Sequence, residues 1–129
     1  MSKPPFPVVL LLLLISSTQS PAACASSFVC NLVKYTVGDE FSGNVESLLY
    51  DLAELGQYEP GKNYYENYPF RGSQVAYGRS TCSGSLTVDD CYSCLLKAVV
   101  AVKNWCYMAI GGQVEVGECD LRYEQYDFV

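Results

Sequence analysis

The apolar positions of the chain fall into a few distinct periods. Val8 to Ile15 is an unbroken apolar run. Phe28, Val29, Val33 and Tyr35 lie among few turn formers, which predicts a strand over Phe28–Tyr35. Val45, Leu48, Leu49, Leu52 and Leu55 recur at i, i+3, i+4, i+7 and i+10, one stripe of an amphipathic helix. Ser42-Gly43-Asn44 offers N-cap candidates for it. Glu46 falls in the first turn, where the helix dipole favours an acid, and Gly56 is a C-terminal stop. Gln57 to Gly72, rich in Gly, Pro, Asn and Tyr, reads as a loop. Val75–Thr81 reads as a strand.

A second helix starts at Thr87, a good N-cap, with Asp89 and Asp90 in its first turn. Cys91, Cys94, Leu95, Ala98, Val99 and Val102 mark its buried face. Three short strands then follow, Trp105–Ile110, Gln113–Cys119 and Leu121–Phe128. Gly111-Gly112 is a hairpin signal between the first two, and Cys119-Asp120 a tight corner before the third. Such short connections favour antiparallel pairing. The expectation is an α+β domain, with two helices packed on one face of an antiparallel sheet of about five strands. No internal repeat, charge run or low-complexity tract interrupts it.

The run at Val8 changes how the N-terminus is read. Lys3 precedes it, and Ser16 to Ala25 is small and polar, ending in the small-x-small pattern Ala23-Cys24-Ala25. That is the grammar of a secretory signal over residues 1–25. The run is too short for a bilayer, which needs about 20 apolar residues, and no later run replaces it. The chain is therefore expected outside the cell, in the apoplast, as one domain over 26–129 with no membrane span. Of seven cysteines, Cys24 leaves with the signal and six remain, an even count that reads as a disulfide framework. Cleavage after Ser20 or Ala23 would keep Cys24 as a free thiol, but would bring Pro21 close to the cut.

Charge and composition remove several function classes. Without Lys3 the chain carries seven Lys/Arg against fourteen Asp/Glu, a net charge of −7. Nucleic acids and anionic lipids call for a basic surface, so neither is an expected partner. A cationic membrane-lysing mechanism is disfavoured for the same reason. The sequence holds no histidine, which rules out Ser-His and Cys-His catalytic pairs and histidine metal sites. Glu115 and Glu118 have no readable paired, desolvated setting of the kind a glycosidase needs. No cofactor, metal or catalytic residue is expected.

Cys82-x8-Cys91-x2-Cys94 is the sharpest local feature. A zinc site would need four ligands and a reducing compartment. A redox pair at Cys91-Tyr92-Ser93-Cys94 could use the helix N-terminus to lower a thiol pKa, but no thioredoxin-like βαβ order surrounds it. The third reading, anchors for separate structural bridges, is the simplest. Tyr64-Tyr65-Glu66-Asn67-Tyr68-Pro69-Phe70 also stands out. Exposed aromatics stack on sugar rings or form contact hot spots, but a loop covering the sheet edge is the simpler reading.

The cysteine triplet resembles the ginkbilobin-homologous domain of land plants. So do Ala76-Tyr77-Gly78-Arg79-Ser80-Thr81-Cys82, Ala109-Ile110-Gly111 and Cys119-x3-Tyr123-Glu124-Gln125-x2-Phe128. The likeness runs from about Phe28 to Phe128, in a single copy, as in single-domain ginkbilobin-type antifungal proteins. It implies the pairing Cys30–Cys106, Cys82–Cys91 and Cys94–Cys119, so that three disulfides staple the domain. It also implies a secreted, non-catalytic defence protein with mannose-type lectin activity, and mannose-containing glycans of the fungal wall as partner. The alternative is an apoplastic interaction module with a protein partner or homo-oligomer and no sugar affinity.

The family's sugar site uses an Asn after the first cysteine, an Arg shortly after Ala-Ile-Gly, and the Glu of Tyr-Glu-Gln. The matching residues here are Asn31, Gln113 and Glu124. Asn31 donates and accepts, and Glu124 accepts on two oxygens. Gln113 departs from the pattern, since it lacks the charge and rigid fork of a guanidinium. Arg122, two residues before Glu124 on the same strand face, either replaces that charge or pairs with Glu124.

Overall fold

The computed structural model describes residues 25–128. The expected signal segment and Cys24 lie outside the described residues, except for Ala25, which opens the first strand. The elements run β1 (Ala25–Cys30), α1 (Glu40–Gly56), β2 (Tyr64–Tyr68), β3 (Ala76–Cys82), α2 (Val88–Trp105), β4 (Gly112–Val116) and β5 (Cys119–Glu124). The strands form one five-stranded sheet in the order β1-β4-β5-β3-β2. Every pairing is antiparallel. No helix among the described residues is long and apolar enough to cross a membrane.

The α+β class and the number of strands agree with the sequence pattern; several local readings do not. Helix α1 begins earlier, capped by Asp39, whose Oδ1 accepts from the Ser42 amide at 2.8 Å, rather than at Ser42–Asn44. Its buried stripe is Phe41, Val45, Leu48, Leu49 and Leu52, while Leu55 is exposed. Within the expected loop, Tyr64–Tyr68 is an edge strand that closes the sheet against β3. The expected strand Trp105–Ile110 is instead the end of α2 and the turn after it, with one isolated β-bridge, between Lys34 and Ala109, in place of a ladder. The true hairpin joins β4 to β5 around Gly117, whose φ of 54° favours glycine, so neither Gly111-Gly112 nor Cys119-Asp120 is the turn. Aliphatic and aromatic content alone did not separate strand from coil near Trp105, because its partner is distant in sequence.

Both helices lie on one face of the sheet. Their apolar stripes meet Ala76, Val114, Val116, Leu121 and Tyr123 in the core. The buried polar groups there are paired: Ser80 Oγ donates to the Leu52 carbonyl at 2.7 Å, and the Tyr123 hydroxyl to the Ala109 carbonyl at 2.7 Å. Burial pushes the Tyr123 phenol above its usual range. Three disulfides link the layers. Cys30–Cys106 ties β1 to the end of α2, Cys82–Cys91 ties β3 to the start of α2, and Cys94–Cys119 ties α2 to β5. Each contributes about 2–4 kcal/mol by restricting the unfolded chain. Phe28 stacks on Trp105 at 4.7 Å between centroids, holding edge strand β1 to the same helix end.

Candidate functional site

The sheet face turned away from the helices is polar because its strands alternate. On β3 the buried Ala76, Gly78, Ser80 and Cys82 alternate with Tyr77, Arg79 and Thr81. On β5 the buried Cys119, Leu121 and Tyr123 alternate with Asp120, Arg122 and Glu124. On β4, Gln113 and Glu115 take the outer positions. Register then sorts these residues into rows across the sheet. One row reads Val29, Gln113, Arg122, Arg79 and Tyr65. The next contains Glu124, Tyr77 and Asn67. Asn31 and Gly111 continue that second row beyond β5, since the Asn31 amide donates to the Gly111 carbonyl at 2.9 Å.

Two of the three sequence-derived site residues, Asn31 and Glu124, therefore flank Gly111. Asn31 is exposed, and its Oδ1 accepts from the Val33 amide at 2.9 Å in a local turn that fixes the side chain. Its Nδ2 has no hydrogen-bond partner among the described residues. Glu124 lies across Gly111 so closely that a Cβ there would collide with Oε1. Gly111 thus leaves the room that the Glu124 carboxylate occupies. Gln113 stands two positions further along β4 on the same face, but its Nε2 donates to Asp120 Oδ2 at 3.2 Å. It is turned toward Asp120 rather than toward Glu124.

Arg122 belongs to Glu124. Its Nε donates to Glu124 Oε2 at 2.9 Å, and its Nη2 to the Tyr126 hydroxyl at 3.0 Å. The Phe128 ring lies 4.1 Å from the guanidinium carbon, a cation–π contact. The C-terminal segment so clamps Arg122 over the sheet. Arg79 stands directly opposite Arg122, a like-charge pair that would be destabilising alone. Asp120 offsets it, accepting from Arg79 Nη2 at 2.9 Å. Alternating cations and acids therefore stand on an otherwise acidic protein. The sequence reasoning missed Tyr77, Arg79 and Asp120. Their signal was the period of two in β3 and β5, which has meaning only once those strands are paired.

A second polar cluster lies at the sheet edge. Tyr64 and Glu66 occupy inward positions of β2, beside Asp51 of α1. Burial first, and then Asp51, push the Glu66 carboxyl up to about 7. The Tyr64 hydroxyl donates to Glu66 Oε1 at 2.5 Å and works against that rise.

Comparison with known proteins shows the family and the fold. The family model described as "Salt stress response/antifungal" matches residues 24–126. A relative from Picea glauca, antifungal protein ginkbilobin-like protein 1, is 30% identical over 94% of this chain and 88% of its own length. Antifungal protein ginkbilobin-2 of Ginkgo biloba is 29% identical over 95% of this chain and 90% of its own. The fold matches the tandem DUF26 ectodomain of the Arabidopsis thaliana cysteine-rich receptor-like protein PDLP5. That match has a TM-score of 0.74 at 23% identity and covers 81% of this chain. The present chain spans about half the length of that ectodomain, 51%.

Proposed function

This chain belongs to the salt stress response/antifungal family of ginkbilobin-type proteins, and from that premise we propose that it is a secreted plant defence protein acting on fungi through mannose-type carbohydrate binding. The observation that carries the reading is the convergence of Asn31 and Glu124 on Gly111, at one corner of a solvent-facing sheet. A shallow sugar site needs fixed donors and acceptors in open water, matched to pairs of hydroxyls. The Asn31 amide is held by its own turn, and the Glu124 carboxylate by Arg122. Neither must be ordered on binding, which limits the entropic cost. The absence of a guanidinium at Gln113 makes the natural affinity weak.

Retention on mannan-agarose and inhibition of hyphal growth, measured on the same preparation, test the reading. Both are expected, and both are expected to disappear in Asn31→Ala. Growth inhibition that persists without sugar retention would overturn the carbohydrate mechanism.

One observation favours a second reading, a protein-interaction module. Val29, Leu32, Val33 and Trp105 are exposed around edge strand β1. Exposed apolar groups beside an open strand edge suit protein contacts. A blank glycan array together with capture of a receptor ectodomain would select that reading.

A further inference from the structure

We propose that the outer sheet face carries a second sugar subsite, built on Tyr77 and Asn67, so that the ligand is an oligosaccharide chain rather than a single hexose. The inference rests on the carbohydrate reading above and extends it across the sheet. Tyr77 stands directly opposite Glu124 on β3, and Asn67 directly opposite Tyr77 on β2. With strands about 4.8 Å apart, Asn67 lies two spacings, about 10 Å, from Glu124. That separation suits sugar rings bound successively along one row.

The space is open to receive them. Tyr65, Glu66, Asn67, Tyr77 and Asp127 line a groove of about 250 Å3 beside Glu124's row. Its chemistry suits a neutral polyhydroxyl ligand. Tyr77 and the more exposed Tyr65 provide ring faces on which the C–H faces of a hexose pack. The Asn67 amide donates and accepts, as paired hydroxyls require, and makes no side-chain hydrogen bond among the described residues. No lysine or arginine is among the residues lining the groove, so nothing there pairs with an anionic ligand such as phosphate or uronate. Every element of the groove is strand or strand-adjacent, so the rows fix its spacing to that of the Asn31–Glu124 corner.

Titration calorimetry with methyl α-mannoside and with a linear mannotetraose tests this. The natural chain should bind the tetraose at least tenfold more tightly than the monosaccharide. Tyr77→Ala and Asn67→Ala should each weaken tetraose binding about fivefold or more and leave monosaccharide binding within twofold. Tyr77→Phe, which keeps the ring, should retain most of the tetraose affinity. Asn67 lies on the edge strand, so its variant keeps the test alive if Tyr77→Ala fails to fold. Equal affinity for both ligands, or equal loss for both in the Asn67 and Tyr77 variants, would overturn the second subsite and leave the first standing. Binding of neither ligand would overturn the carbohydrate reading itself, and this extension with it.

Discussion

Gln113 of β4 and Arg122 of β5 stand directly opposite each other in the antiparallel ladder, yet they serve different acids. Gln113 donates to Asp120, and Arg122 to Glu124. The cation of this corner thus comes from the strand next to the one where the family places it. It is also already engaged, by Glu124, Tyr126 and Phe128 together.

Gln113→Arg should therefore raise mannoside affinity. A guanidinium there has Asp120 within reach as a partner, and it brings a charge-assisted donor to the sugar hydroxyls. The expected gain is about 1 kcal/mol, somewhat under tenfold in Kd. Calorimetry at fixed salt checks it. An unchanged Kd would mean that Arg122 already fills the role across the ladder.

Gly111→Ala should abolish sugar binding without altering any hydrogen-bonding group. The added Cβ occupies the space of Glu124 Oε1, so the carboxylate must leave or the strands must part. The cost in stability should be small, about 1 kcal/mol or less, because the carboxylate is the mobile end of a partly exposed side chain and can swing aside. Asn31→Ala and Glu124→Ala should abolish binding by the direct route, each leaving a sugar hydroxyl unpaired. Mannan-agarose retention of all three variants, beside thermal melts, separates the two routes. Full retention by Gly111→Ala would show that Glu124 is dispensable in its present position.

Cys94→Ser combined with Cys119→Ser should lower stability by about 3.5 kcal/mol, from the loop entropy regained by the unfolded chain. Their separation of 25 residues makes this a substantial loop. For a domain of this size the melting temperature should fall by about 10 °C or more. Surface substitutions such as Glu59→Gln should leave it nearly unchanged. The unmutated domain should yield no alkylatable thiol among Cys30, Cys82, Cys91, Cys94, Cys106 and Cys119 under non-reducing denaturation, as mass spectrometry would record. A melting temperature unchanged by the double substitution would show that the bridge does not stabilise the fold.

Stability should fall as pH rises from about 4.5 to about 7, through Glu66. In the folded chain its carboxyl holds a proton up to about 7, whereas unfolded it titrates near the ordinary value of 4.5. Between these values the native state binds more protons, so raising pH favours unfolding. Glu66 is partly exposed, and solvent screening limits the effect to about 1 kcal/mol. Glu66→Gln should flatten that part of the profile and raise the melting temperature at pH 7.5. Denaturant melts across the range measure it, and an identical slope in the variant would exclude Glu66 as the cause.

The sequence by itself determined the local structure that rests on near neighbours. Thr87 caps α2, its hydroxyl accepting from the Asp90 amide at 3.1 Å, and the stripe from Cys91 to Val102 turns inward as its period requires. The family resemblance, carried by short motifs, pointed to Asn31, Gln113 and Glu124 as one candidate site before any strand was paired. Tertiary structure alone decided what those motifs touch. Tyr64–Tyr68 is a strand because β3 offers it an edge, although Pro and Gly on either side read as loop. Trp105–Ile110 is not a strand, because α2 continues to Trp105 and the chain there is tied to Cys30 and Lys34. Arg122 pairs with Glu124, and Gln113 with Asp120, through the register of β4 and β5. Hydrogen-bond caps and helical stripes act within a few residues of chain. Strand register and cross-sheet charge pairing depend on partners far away in the chain, as Arg79 with Asp120 or β1 with β4, and no local pattern encodes which partner arrives.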